Sequence, residues 1–136
     1  MDDVILSPLK QIANPKGDIY HALKKSDKGF NGFGEAYFTT VNFNEIKGWK
    51  KHTKMILNLI VPVGVVQFVI FNDETGEFKD ITLSQSNYQR LTVPSGLWVA
   101  FKGVSNELNL VLNIASIEHN PAESDNCFFE EIKYEW

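Results

Sequence analysis

The chain has 136 residues and a formal net charge of −4, with 43% hydrophobic and 12% aromatic residues. This length and hydrophobic share predict one globular domain and exclude an extended disordered chain. The acidic balance argues against nucleic acid and anionic membranes as partners, and the single cysteine, Cys127, excludes an intrachain disulfide. The acidic first residues include no long apolar segment, so they predict no secretory signal, and we expect a cytoplasmic protein.

Short strands separated by turn residues are predicted from the beginning of the chain. Residues 4–9 alternate weakly between apolar and polar, and a strong turn signal at 14–18 precedes a second short strand at 19–23. The glycine-rich segment 24–34 predicts an exposed loop. Aromatic and β-branched residues then dominate segment 35–43, which predicts another strand.

The longest apolar stretch, residues 48–73, opens with a basic segment at 50–54 and then carries hardly a charge. Asn58 and Gln67 interrupt it, and Pro-Val-Gly at 62–64 divides it into two halves of strand length. These interruptions favour two strands over a membrane-spanning helix, and we expect no membrane insertion. The two halves predict a buried antiparallel hairpin with its tight turn at 62–64.

The remaining segments continue the β pattern. A turn is predicted at 73–76, and strands are predicted at 78–83, 88–93, 97–102 and 109–117. About ten short strands at this spacing predict an all-β barrel or jelly roll. We expect a single domain over 1–136, with a core at about 4–121. The acidic and aromatic tail, 122–136, predicts a short helix or a last strand that packs on the domain.

Five segments carry a resemblance to a known family: NPKGDIYHAL, FGEAYFTTV, KGWKKHTKM, VPSGLWVAFKG and ASIEHNPAE. Their order and spacing resemble the RmlC-like sugar-nucleotide epimerases and isomerases, related to dTDP-4-dehydrorhamnose 3,5-epimerase. The resemblance implies a cupin-type double-stranded β-helix that pairs as a homodimer. It also implies a nucleotide-sugar substrate in the barrel, with neither metal nor organic cofactor. The family reaction removes a proton next to a ketone, which requires a base, a cation for the enolate and an acid.

Three positions depart from the family pattern. Lys50 stands where relatives carry the first histidine of a GWH-x-H motif, Asn113 where the epimerases carry a catalytic tyrosine, and Val99 where a further barrel histidine occurs. In the pattern of metal-binding cupins, Lys50, Leu57 and Val99 would replace three of four ligands. His52 alone cannot hold a transition metal tightly, so we expect no metal site.

His52 is the candidate catalytic base. Residues 50, 52 and 54 of one strand point to the same face, so Lys50, His52 and Lys54 are predicted to converge. An imidazole between two ammonium groups is a candidate proton acceptor, and either lysine could hold an enolate or a phosphate. The alternative is a solvated basic strand whose charges keep a sheet edge from pairing.

Five further residues are candidates for substrate binding. Tyr37 and Trp98 could stack on a base or a sugar ring, and Asn58 and Asn113 could bind sugar hydroxyls, although core positions would account for all four equally well. Lys16 stands in the turn where the related epimerases present an arginine to the nucleotide phosphate. The resemblance therefore implies a phosphate contact for Lys16, without the bidentate geometry of arginine.

The leading hypothesis from the sequence is an epimerase or isomerase acting on a nucleotide-activated, dTDP-linked 4-keto-6-deoxysugar in surface polysaccharide assembly. The alternative is a non-catalytic sugar-nucleotide-binding or scaffold cupin that has lost the family's histidine and tyrosine. A third alternative is a structural partner in a larger complex, with the aromatic tail as its contact surface.

Overall fold

Two five-stranded antiparallel sheets face each other in the computed structural model, which describes residues 1–136. In spatial order, sheet 1 contains β1 (Ile5–Pro8), β9 (Gln89–Val93), β6 (Leu57–Val63), β11 (Leu110–Ala115) and β4 (Glu35–Thr40). Sheet 2 contains β12 (Ser124–Asn126), β5 (Ile46–His52), β10 (Trp98–Gly103), β7 (Val65–Asn72) and β8 (Glu77–Ser84). A small hairpin joins β2 (Gln11–Ile12) to β3 (Ile19–Tyr20). The prediction of an all-β jelly roll is confirmed.

The main core lies between the two sheets because alternate residues of each strand point inward. In β7, Val66, Phe68 and Ile70 have no solvent exposure and belong to this core, whereas Val69 points to the opposite face. This two-residue period is that of a pleated strand. It shows why the apolar stretch predicted strands correctly.

The predicted hairpin at 62–64 is wrong, because β6 and β7 belong to different sheets. Gly64, with φ +87°, carries the chain across from one sheet to the other. A Cβ at this position would lie 2.3 Å from the carbonyl oxygen of Leu108, so a side chain there would collide with the neighbouring backbone. The backbone N–H of Val65 then donates to the Asn109 side chain instead of to β6. A turn signal thus marked a crossing between sheets.

The turn predicted at 73–76 does close a hairpin. Strands β7 and β8 pair over eight residues, from Val65 opposite Ser84 to Asn72 opposite Glu77. The N–H of Gly76 donates to the carbonyl of Asn72 at 2.8 Å.

A β-bulge in β5 changes which side chains face inward. Val99 of β10 pairs with Lys50, whereas Phe101 pairs with Lys47, so two residues of β5 lie opposite Ala100 alone. Gly48 permits this close approach, because a Cβ there would lie 2.4 Å from the Ala100 side chain. The extra residue places Lys47 and Lys50 on the same face although they are three positions apart.

The segment after residue 120 forms a 3₁₀ turn at Pro121–Glu123, strand β12 and a second 3₁₀ turn at Phe129–Glu131. Its final aromatic residues, Tyr134 and Trp136, pack on the outer face of sheet 2 over Trp49. The prediction that the tail packs on the domain is therefore confirmed. These aromatic rings cover the chain's own sheet, contrary to the alternative in which they contact a larger complex. No helix is long and apolar enough to cross a membrane.

Candidate active site

A cavity of about 320 Å³ opens between the two sheets. Strands β4 and β11 form one wall, and β5 and β10 form the other. Its volume lies at the lower end of the range of about 300–1,000 Å³ for small-molecule pockets. Polar side chains at the cavity come from Tyr37, Thr39, Lys47, Lys50, His52, Asn113 and Asn126, and apolar side chains come from Leu57, Leu59, Val99 and Val111 among others.

A histidine and a carboxylate are in direct contact at this cavity. Nδ1 of His52, the last residue of β5, lies 2.6 Å from Oε1 of Glu123. The two side chains are only 11% and 4% exposed. The pair is therefore largely shielded from bulk water, while the imidazole still reaches the cavity.

The surroundings of Glu123 keep its carboxylate ionised. Burial alone would raise its pKa, but the N–H of Met55, the His52 ring and the N–H of Lys54 together lower the pKa to about 2. An ionised carboxylate accepts a hydrogen bond from the Nδ1–H of His52. Nε2 is then the nitrogen of the neutral ring that can accept a proton.

Strand pairing fixes the position of Glu123. Strand β12 begins immediately after it and pairs with β5, with Ser124 opposite His52. The backbone N–H and Oγ1 of Thr53 both donate to the Glu123 carbonyl, at 2.8 and 2.6 Å. Sequence analysis missed Glu123 as a site residue, because it lies far along the chain in a segment without strand periodicity. The only available signal was its place at the end of the ASIEHNPAE motif.

The lysines are arranged differently from the sequence-based expectation. Lys50 lines the cavity beside His52 and forms no salt bridge. Lys54 is exposed and does not line the cavity, because β5 ends at His52 and the alternation ends with it. The predicted convergence of Lys54 with the other two residues is therefore wrong.

Lys47 is the second cation at the cavity, and sequence analysis missed it because the bulge reverses the strand's alternation. Its Nζ donates to Oγ1 of Thr39 at 2.7 Å and to the carbonyl of Thr40 at 3.1 Å. Both acceptors belong to β4, so Lys47 spans from sheet 2 to sheet 1. The lysine thus bridges the open side of the cavity.

Tyr37 lies on the wall opposite His52. It is the register partner of Asn113, whose Nδ2 donates to the Tyr37 hydroxyl at 3.1 Å. Because the hydroxyl oxygen accepts this bond, its own proton is available to a group in the cavity. The late-strand tyrosine of the related epimerases is replaced by Asn113, and the adjacent strand supplies a phenol at the same place.

Two other candidates lie outside the cavity. Trp98 lies on the outer face of sheet 2, where its Nε1–H donates to Asp73 at 3.1 Å. Asn58 is buried on the outer face of β6, where it donates to the Gly29 carbonyl at 3.0 Å and accepts from Thr92 Oγ1 at 2.6 Å. Neither residue can contact a ligand in this cavity, so both predictions are corrected. Asn58 instead attaches the 24–34 loop to sheet 1.

Lys16 is exposed in the turn between β2 and β3 and does not line the cavity of its own chain. Its backbone N–H bonds to Asn14 Oδ1 at 2.9 Å, which shapes the turn and leaves the ammonium in solvent. No group of three or more histidine, cysteine, aspartate or glutamate side chains is placed to hold a metal ion.

Comparison with known proteins assigns the family. No protein-family model matches the chain, and no curated protein matches its sequence. Among solved structures, the dTDP sugar isomerase from Desulfovibrio desulfuricans G20 is 30% identical, with a TM-score of 0.93, over 99% of this chain and 91% of that chain. This chain belongs to the RmlC-like cupin family of sugar-nucleotide epimerases and isomerases. The sequence-based expectations of this family and of an enzyme are confirmed.

More distant structures share the RmlC-like cupin fold. The sugar 3,4-ketoisomerase QdtA from Thermoanaerobacterium thermosaccharolyticum, solved with TDP, is 23% identical, with a TM-score of 0.78, over 93% of this chain and 89% of that chain. RmlC from Legionella pneumophila, a dTDP-6-deoxy-D-glucose-3,5-epimerase, is 15% identical, with a TM-score of 0.82, over 95% of this chain and 74% of that chain.

Proposed function

We propose that this enzyme isomerises a dTDP-linked 4-keto-6-deoxysugar by moving a proton at the carbon next to the ketone. The observation that supports this most strongly is the His52–Glu123 pair on one wall of the cavity, opposite the Tyr37 hydroxyl. Similar proteins act in the same direction, since the 30% identical structure is a dTDP sugar isomerase and QdtA was also solved with TDP-4-keto-6-deoxyglucose.

The first half of the proposed reaction produces an enediol. Nε2 of His52 removes the proton from C3 of the sugar, and the electrons of that C–H bond form a C3=C4 double bond. The charge that develops on the ketone oxygen is stabilised by the Lys50 ammonium, which has no competing salt bridge. Tyr37 then donates its proton to this oxygen.

The second half restores both groups. The Tyr37 phenolate removes the proton from the C3 hydroxyl, and the electrons of the C3=C4 bond take the proton from the His52 imidazolium onto C4. The product is a 3-keto sugar, with both catalytic side chains in their initial states. This is a 3,4-ketoisomerisation without a change in oxidation level of the substrate as a whole.

Epimerisation is the second candidate function, and the position of Tyr37 favours it. His52 and Tyr37 lie on opposite walls, so a proton removed from one face of a carbon can be replaced from the other. If Tyr37 protonates carbon instead of oxygen, the stereocentre inverts and the ketone stays in place. The two outcomes differ only in the atom that receives the Tyr37 proton.

The cavity volume of about 320 Å³ suits the sugar ring, so the nucleotide would extend out through the open side beside Lys47. In this proposal the diphosphate lies near that ammonium. A homodimer, in which Lys16 reaches the diphosphate of the partner subunit, remains a prediction. A role in surface polysaccharide assembly and a cytoplasmic location are also part of the proposal.

Product analysis in deuterated water tests the proposal. The enzyme is incubated with dTDP-4-keto-6-deoxyglucose, and the sugar is followed by ¹H and ¹³C NMR. We expect the ketone to move to C3; deuterium at C3 or C5 with the ketone unmoved would identify an epimerase instead. His52→Gln should abolish turnover, and His119→Gln, at an exposed position outside the cavity, should not. Binding of several such sugar nucleotides without any product or exchange would favour the non-catalytic alternative.

A further inference from the structure

A second cavity of about 190 Å³ lies away from the candidate active site. Residues 7–10 at the end of β1, the segment 21–28 and Arg90 of β9 line it, and it shares no residue with the first cavity. Since Leu91 of β9 points into the main core, the adjacent Arg90 points to the outer face of sheet 1.

Arg90 is the only arginine of the chain, and it is 1% exposed. Nη1 donates to the Ala22 carbonyl at 2.8 Å and lies 3.3 Å from Oδ2 of Asp27, and Nη2 donates to the Lys28 carbonyl at 3.0 Å. Nε–H has no acceptor. Buried donors are almost always paired, so a buried guanidinium with an unmatched N–H at a cavity indicates a missing acceptor.

The charges around this cavity are mostly positive. Lys10, Lys24, Lys28 and Arg90 supply four cations, and Asp27 supplies the single carboxylate, which leaves a formal excess of three in a chain whose net charge is −4. The carboxylate is already engaged, because the N–H of Lys24 and then the Arg90 guanidinium hold the pKa of Asp27 below its ordinary value despite partial burial.

We propose that this second cavity binds a phosphate-type oxyanion. Such an anion would accept the unmatched Nε–H of Arg90 at the bottom of the cavity and contact the flexible lysine ammoniums at its rim. A guanidinium suits this role because its fixed N–H groups match the oxygens of a phosphate. The anion could be inorganic phosphate or the phosphate of a nucleotide. The site is independent of the proposed reaction and shares none of its residues.

The only arginine gives an unambiguous measurement. In a ¹H–¹⁵N spectrum of the whole protein, the Nε–H of Arg90 is a single arginine signal, and its shift is followed during separate titrations with phosphate, diphosphate and dTDP. Chloride at equal ionic strength is the control. We expect saturable shifts with the phosphate compounds and none with chloride. A stronger response to dTDP than to phosphate would identify the nucleotide as the source, and an unmoved signal with all three would overturn the proposal.

Matched lysine variants distinguish a built site from general attraction. Lys24→Gln and Lys28→Gln each remove one exposed cation at the rim, so we expect phosphate to bind about twofold to fivefold more weakly in each. Lys25→Gln removes the same charge from the same loop, but Lys25 does not line the cavity, so its affinity should be unchanged. Equal losses in all three variants, or no loss in any, would show an adventitious ion only. Turnover of the sugar nucleotide is measured in parallel and should stay at the wild-type rate.

Discussion

Nδ1 of His52 lies 2.6 Å from Oε1 of Glu123, although 71 positions separate the two residues in the chain. The contact exists because β12 pairs with β5 directly after Glu123. It sets the tautomer of the imidazole, since an ionised carboxylate can only accept a hydrogen bond. The basic nitrogen at the cavity therefore depends on a residue that does not itself line the cavity.

Replacing Glu123 by glutamine should separate geometry from tautomer. The glutamine oxygen can still accept from the N–H groups of Lys54 and Met55, but its NH₂ would then donate to Nδ1 of His52. Nε2 would carry the proton and could not act as the base, so we expect kcat to fall about 100-fold or more. Glu118→Gln, at an exposed position, is the matched control. A wild-type rate for Glu123→Gln would contradict the proposed role of the pair.

The same carboxylate should make stability depend on pH. The pKa of Glu123 is lowered in the folded protein from 4.5 to about 2, so the folded state holds the ionised form more strongly than the unfolded state does. The resulting stabilisation is complete above about pH 4.5 and is lost as the pH falls towards 2.

Urea unfolding of the wild type and Glu123→Gln at several pH values measures this dependence. Asp27 and Asp73 also have lowered pKa values, and their contributions cancel in the difference between the two proteins. We expect the difference in unfolding free energy to shrink between pH 4.5 and 2. A constant difference over that interval would show that Glu123 is not selectively ionised in the folded state.

Tyr37→Phe should lower kcat with little change in KM. The substitution keeps the ring and removes the proton proposed for the ketone oxygen, so a loss of about 100-fold is expected. Steady-state kinetics with the sugar nucleotide gives both constants. Tyr20→Phe changes an exposed tyrosine outside the cavity and should leave both constants unchanged. A large increase in KM with kcat unchanged would assign Tyr37 to binding only.

Lys50 and Lys54 should differ sharply in their effect on activity. Lys50→Met removes the unpaired ammonium beside His52, and we expect kcat/KM to fall about 100-fold or more as charge stabilisation is lost. Lys54→Met should be nearly neutral, because that side chain is exposed outside the cavity and only its backbone N–H contacts Glu123. Comparable losses in the two variants would restore the sequence-based view of the basic strand.

Two glycines test the crossing between the sheets. Gly64→Ala places a Cβ 2.3 Å from the Leu108 carbonyl oxygen at φ +87°, so we expect a loss above about 3 kcal/mol in unfolding free energy. Gly76→Ala has a similar φ of +77° but no atom within 4 Å, and only about 1 kcal/mol should be lost there. Thermal and urea unfolding of both variants measures the difference. Equal losses would mean that the close approach at Gly64 relaxes at no cost.

Much of the fold could be predicted locally. The alternation in β7 and the acidic turn before Gly76 depend on neighbours in the chain, and both predictions agree with the structure. Gly64 produced an error because a tight turn has the same composition whether it closes a hairpin or crosses between sheets. The choice between these depends on distant partners, namely Leu108 and Asn109.

The candidate site divides in the same way. The sequence alone was sufficient for an all-β cupin, for His52 and Lys50 at the cavity and for Tyr37 as a nearby aromatic residue. Only the tertiary structure excluded Lys54, introduced Lys47 through a bulge and brought Glu123 to the imidazole. Side-chain direction along an unbroken strand follows from the backbone period, which any sequence displays. A bulge, a strand end and a contact between distant strands depend on which segments pair, and no local pattern records that choice.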